Sequence, residues 1–109
     1  MASTETRTFV VLYTYAAGVG EKRAELLDAH RAYLGALTEE GSLLAAGAFL
    51  DSNGGLLLLR APSLLVLEDL LDRDPFHLGA VIVDREIHPW AARLGTALPS
   101  LGASVASSV

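Results

Sequence analysis

The sequence predicts an α+β domain in which strands and helices follow the order β-α-β-β-α-β. Three observations carry that expectation. Thr8 to Tyr15 is a short apolar run rich in aromatic and β-branched residues, the composition of a strand. Residues 21–40 instead repeat their apolar positions every three or four residues, the period of a helix. Asp51-Ser52-Asn53-Gly54-Gly55 then joins two apolar runs with the residue types of a hairpin turn.

The elements follow in chain order. Residues 1–6 are polar and are expected to fray. In the first strand Phe9, Val11, Tyr13 and Tyr15 share one face, and Val10 and Leu12 share the other. Ala16-Ala17-Gly18-Val19-Gly20 is a loop. The helix over 21–40 is built from good helix formers, and Gly41 stands where a left-handed cap ends it. Leu43–Leu50 reads as the second strand, broken by Gly47. Leu56–Leu59 is an unbroken apolar run, expected to be a strand buried on both faces. Pro62 and Ser63 suit a helix start, with Leu64, Leu67, Leu70 and Leu71 as the apolar face. Asp74 precedes Pro75, which ends that helix. Ala80–His88 is the last strand, with Val81, Val83 and Ile87 on one face and Asp84, Glu86 and His88 on the other. The order is that of the split βαβ, or ferredoxin-like, fold, an antiparallel sheet with two helices on one face.

Size and composition narrow the function. The chain of 109 residues makes one domain. We place a frayed N-terminus at 1–7, the domain at 8–92 and a tail at 93–109, with 102–109 disordered. Half of the chain is hydrophobic (51%), which is rich for so small a domain. No run approaches the ~20 apolar residues that span a bilayer, and the first residues lack the pattern of a signal peptide. No membrane association is expected, and residence is expected to be cytoplasmic. A net charge of −5 with a sole lysine, Lys22, excludes a nucleic-acid surface. The chain has no cysteine, hence no disulfide, thiol nucleophile or thiolate metal site. His77 and His88 do not complete a zinc spacing with His30, and Gly18 and Gly20 do not make a phosphate loop.

The surplus apolar surface points to self-association. Helices cover one face of such a sheet, yet the first and third strands are apolar on both. The expectation is a homodimer packed through the open sheet face, a dimeric α/β barrel with a cavity. Leu94, Leu98 and Leu101 in the tail are candidates for docking on a partner.

His30 is the best candidate for chemistry. It lies in a helical stripe with Leu26, Leu27, Tyr33, Leu34 and Leu37. Imidazole titrates near neutral pH, and burying it among leucines costs free energy unless its nitrogens find partners. One reading is a core histidine bonded to a carbonyl or carboxylate. The other is a general acid or base whose tautomer a carboxylate fixes. Asp74 is the candidate carboxylate. It is also a good N-cap for a short turn through Phe76 and His77, and a carboxylate has acceptor sites for both tasks. Asp51, Ser52 and Asn53 read as turn formers, His88 as a surface strand end, and Trp90 as a packing anchor. Glu21 to Glu25, Glu39 and Glu40 read as the solvated face of the long helix.

Several pieces together resemble the YciI-like (YCII-related) family. They are His30-Arg31-Ala32-Tyr33-Leu34, then Gly41-Ser42-Leu43-Leu44-Ala45-Ala46-Gly47-Ala48-Phe49, then Gly54-Gly55 leading a strand. Asp74-Pro75-Phe76 follows, with Gly79 downstream, and Ile87-His88-Pro89-Trp90 closes the last strand. The resemblance runs from Thr8 to Trp90. It implies a ferredoxin-like fold, a dimeric α/β barrel and a His–Asp dyad in a cavity, with His30 and Asp74 matching the dyad. One branch of the family resembles a dehydrochlorinase of a chlorinated hydroxyhydroquinone; similar barrels host lactone isomerases and cofactor-free oxygenases. The alanine- and leucine-rich second strand departs from the pattern and leaves few polar groups for substrate recognition. The expectation is acid–base chemistry by His30 and Asp74 on a small cyclic or aromatic compound held in the cavity. It covers isomerisation, elimination or dehydrochlorination and implies no cofactor. The alternative is a non-catalytic binding or accessory protein in which the dyad is structural.

Overall fold

The computed structural model describes residues 6–99 and 101. Four strands form one sheet: β1 (Arg7–Tyr15), β2 (Leu43–Ala48), β3 (Gly54–Ala61) and β4 (Ile82–Trp90). Three helices accompany them: α1 (Gly20–Glu39), α2 (Leu64–Asp72) and the single turn α3 (Pro75–Leu78). All pairings are antiparallel and the sheet order is β2-β3-β1-β4. This is the ferredoxin-like arrangement expected from the sequence. The expected disorder of 102–109, and the fraying of the first five residues, fall outside the described residues.

The helices lie on the face that carries Phe9, Val11, Tyr13 and Tyr15. These four are buried with Leu57, Leu59, Leu67, Leu71 and Phe76. Helix α1 ends in a Schellman motif. Gly41, at φ 85°, donates to the carbonyl of Thr38, and Ser42 donates to that of Leu37. Ser63 caps α2 by accepting from the amide of Val66, as its place before the apolar run foretold.

Four expectations are corrected. Leu56 and Leu58 are only half-buried, so β3 is fully buried on one face and not two. An unbroken apolar run does not distinguish these cases, because β1 and β3 carry Val10, Leu12, Leu56 and Leu58 on the open face too. Leu64 is exposed, so α2 presents Leu67 and Leu71 to the core, with Leu70 at the margin. The second strand stops at Ala48, which leaves Leu50 exposed in the turn. The last strand is displaced by two residues, and Val83 does not share a face with Ile87. The register between β1 and β4 shifts between Thr14 and Tyr15, where Thr14 faces Asp84 and Tyr15 faces Ile82. That bulge gives up one step of alternation, and Val83 turns outward, 66% exposed. Of the tail leucines, Leu94 is exposed, whereas Leu98 and Leu101 are half-buried in turns.

Candidate functional site

Two pieces of local structure meet to make the site. Helix α1 brings His30 to the sheet on the same stripe as Leu26, Leu27, Tyr33, Leu34 and Leu37, all buried or partly buried. The second piece is α3. Pro75 sets its first residue, and Asp74 caps it, Oδ1 accepting from the Phe76 amide at 3.0 Å. The two helices approach closely at Gly79. A side chain there would put its Cβ 2.3 Å from Cδ1 of Leu26 and 3.1 Å from the carbonyl of Pro75.

This packing sets Nδ1 of His30 2.7 Å from Oδ1 of Asp74. The imidazole lies flat on Phe76, with centroids 3.7 Å apart and planes 2° from parallel. The second carboxylate oxygen accepts from the hydroxyl of Tyr13 at 3.1 Å. Asp74 is 1% exposed and is the buried polar residue of the core among the described residues. A buried carboxylate is costly unless its lone pairs are occupied. Here the imidazole, a phenol and an amide occupy them. Burial, reinforced by the neighbouring Asp74 charge and the hydrogen bond to it, holds the Tyr13 phenol protonated far above the usual tyrosine range. Tyr33 braces the same layer by donating to the carbonyl of Leu70 at 2.7 Å.

His30 lines a cavity of about 240 Å³ between α1 and the β1, β3 and β2 strands. Tyr15, Leu34, Ala46, Gly47 and Leu57 form much of its wall. The cavity therefore lies on the helix-covered face of the sheet, and not on the open face through which a dimer would pack. Its apolar wall follows from the small residues of β2, which let the space run out to the sheet edge.

Sequence reasoning missed three members of the site. Tyr13 and Tyr15 read only as core residues, yet one bonds Asp74 and the other faces the cavity. By its place between Glu21 and Glu25, Arg23 reads in the sequence as one of the solvated charges of α1. Its guanidinium instead sits 4.5 Å above the ring of Tyr15, in the cavity lining. The signal was present in the helical period, since positions 23, 27, 30 and 34 share one face. The other sequence candidates lie apart. His77 and Arg85 flank Asp72, and His88 meets Glu86 on the exposed side of β4. No group of three His, Asp or Glu side chains able to hold a metal occurs among the described residues.

The family model of the YCII-related domain matches residues 8–91. The chain belongs to the YCII-related family. No curated protein matches this YCII-related chain. Solved structures do. One is the 5-chloro-2-hydroxyhydroquinone dehydrochlorinase TftG from Burkholderia phenoliruptrix AC1100, in complex with 2,5-dihydroxybenzoquinone. It superposes with a TM-score of 0.69 at 22% sequence identity, covering 76% of this chain and 92% of its own. That likeness shows the shared fold. No helix among the described residues is long and apolar enough to cross a membrane.

Proposed function

We propose that this YCII-related protein uses His30 as a general acid–base toward a small cyclic or aromatic compound bound in the α1–sheet cavity. The 2.7 Å contact between Nδ1 of His30 and Asp74 carries this reading. An ionised carboxylate only accepts, so Nδ1 must hold a proton, and the lone pair of a neutral ring then falls on Nε2. Nε2 takes a proton from the substrate, and Asp74 stabilises the imidazolium. In an isomerisation the proton returns at another position. In an elimination the leaving group departs with its electron pair. Elimination of chloride is the reaction in the name of TftG, and a quinone of that type is what its structure holds.

The test measures chloride release from 5-chloro-2-hydroxyhydroquinone by the full chain. His30→Ala is expected to lower the rate by about 10²–10⁴-fold. Its fold and oligomeric state are expected to stay those of the parent, with about 1–3 kcal/mol of stability lost because the buried Asp74 is left short of a donor. An unchanged rate in His30→Ala removes the catalytic reading.

A second reading has its own observation. Asp74 also caps α3 and accepts from Tyr13, so the pair ties α1 and α3 to β1 whether or not it does chemistry. Under that reading the protein binds its ligand without turnover, and the same loss of about 1–3 kcal/mol is the whole effect of His30→Ala.

We also propose a homodimer through the open sheet face. Val10, Leu12, Leu56 and Leu58 are half-buried in a single chain, on the face that no helix among the described residues covers. Sedimentation at micromolar concentration should give a dimer, and Leu58→Glu should give a folded monomer. A monomeric parent chain rules this assembly out.

A further inference from the structure

The cavity beside His30 is walled with carbon yet carries charge of one sign. Arg23 and Arg31 both reach its lining from α1, and no carboxylate is among the lining residues. The chain has 13 acidic residues against 8 basic ones, so carboxylates are not scarce. Even so, neither arginine makes an ion pair among the described residues. Arg23 goes further. Its Nε is buried and has no hydrogen-bond partner among the described residues. A buried donor left unpaired is destabilising, and such groups are few in native proteins. The cation–π contact with Tyr15, 4.5 Å from the guanidinium carbon to the ring centroid, offsets part of that cost.

The two terminal nitrogens of that guanidinium, beside an apolar space, match an oxyanion that accepts from both. The volume, about 240 Å³, is below the usual range for drug-sized ligands and suits a single ring. We propose that the cavity takes a small organic anion, one ring bearing a carboxylate or an ionised phenol. Arg23 holds its oxyanion and the exposed Arg31 draws it in at the mouth. This rests on the reading of the cavity as the ligand site of His30 and names the class of ligand. It also gives Arg23 a part in the reaction, because negative charge left on the ring when a proton moves to Nε2 lies in the field of a fixed cation.

Non-reacting probes separate this proposal from the chemistry. Benzoate and benzamide have nearly the same shape and differ in charge, and calorimetric titration of the full chain at low salt compares them. Benzoate is expected to bind about tenfold or more tightly than benzamide, a difference of ~1.4 kcal/mol. 4-Nitrophenolate against 4-nitroanisole repeats the comparison for a phenol, so the two pairs tell which oxyanion the site prefers. Arg23→Gln should abolish the preference with the melting temperature unchanged, and Arg31→Gln should reduce it only a few-fold. His30→Ala should keep it, since the charge contact belongs to Arg23. Equal binding of charged and neutral probes, no binding of any probe, or an Arg23→Gln variant that still discriminates overturns the proposal. A His30→Ala variant with unchanged turnover but intact anion preference overturns the catalytic reading alone.

Discussion

Replacing Asp74 with alanine is expected to cost about 3–5 kcal/mol of stability, the largest loss of any polar substitution in the chain. Three donors converge on this carboxylate: Nδ1 of His30, the hydroxyl of Tyr13 and the amide of Phe76. Alanine strands all three, and Tyr13 and the Phe76 amide lie where water is excluded. Loss of the cap alone is worth about 1 kcal/mol. The unpaired phenol and imidazole add about 1–3 kcal/mol each where they cannot reach solvent. His30, 12% exposed at its side chain, recovers part of that by turning toward the cavity.

Asp74→Asn separates shape from charge. Its carbonyl oxygen can still cap α3, and its amide can donate to the Tyr13 hydroxyl, so most of the stability should return. Activity should not return, because the amide no longer stabilises an imidazolium on His30. Thermal melts of Asp74→Ala, Asp74→Asn and His30→Ala, with the His30→Ala/Asp74→Ala double variant, decide the matter. Residues in direct contact should couple by at least about 0.5 kcal/mol. A strictly additive double variant would show that the two side chains do not act as a pair.

Gly54→Ala is expected to be the most damaging change that adds only a methyl group. A Cβ at this position would lie 2.1 Å from the carbonyl oxygen of Tyr13, and that oxygen is backbone in a central strand. No rotamer relieves the clash. The β1 and β3 strands must part where Gly54 faces Thr14 and Gly55 faces Tyr13. Overpacking of this kind costs about 1–3 kcal/mol, and each kcal/mol lowers the melting temperature of a domain this size by roughly 4–8 °C. The effect reaches the site, since Tyr13 holds Asp74 and Tyr15 carries Arg23. Gly35→Ala is the matched control. It lies within α1 with nothing within 4 Å of the new Cβ, and it should stabilise by about 0.5–1 kcal/mol. A Gly54→Ala variant that melts with the parent would mean that the strand pairing yields at this point more easily than its geometry allows.

Much of this protein is legible because the informative signals are local. The stripe through His30 is a helical period, and Asp74 before Pro75 is a cap written in adjacent residues. Both elements formed where those signals lie. Errors arose where a face was judged from one element alone. Val83 turned outward because of a bulge whose other half is Tyr15 on β1. By its type Leu64 reads as inward, yet it faces out, because α2 meets the sheet on the Leu67–Leu71 side.

By itself, then, the sequence determined the order of elements and singled out His30 and Asp74, the pair proposed here for acid–base work. Only the tertiary structure decided what surrounds them. Asp74 bonds a histidine 44 residues away and a tyrosine 61 residues away. Arg23 became part of a cavity only when β2 and β3 closed its far side with alanine and glycine. The reason is that a repeating period records which way a side chain leaves its own backbone. What that side chain meets depends on the register and approach of elements distant in the chain, which no local pattern encodes.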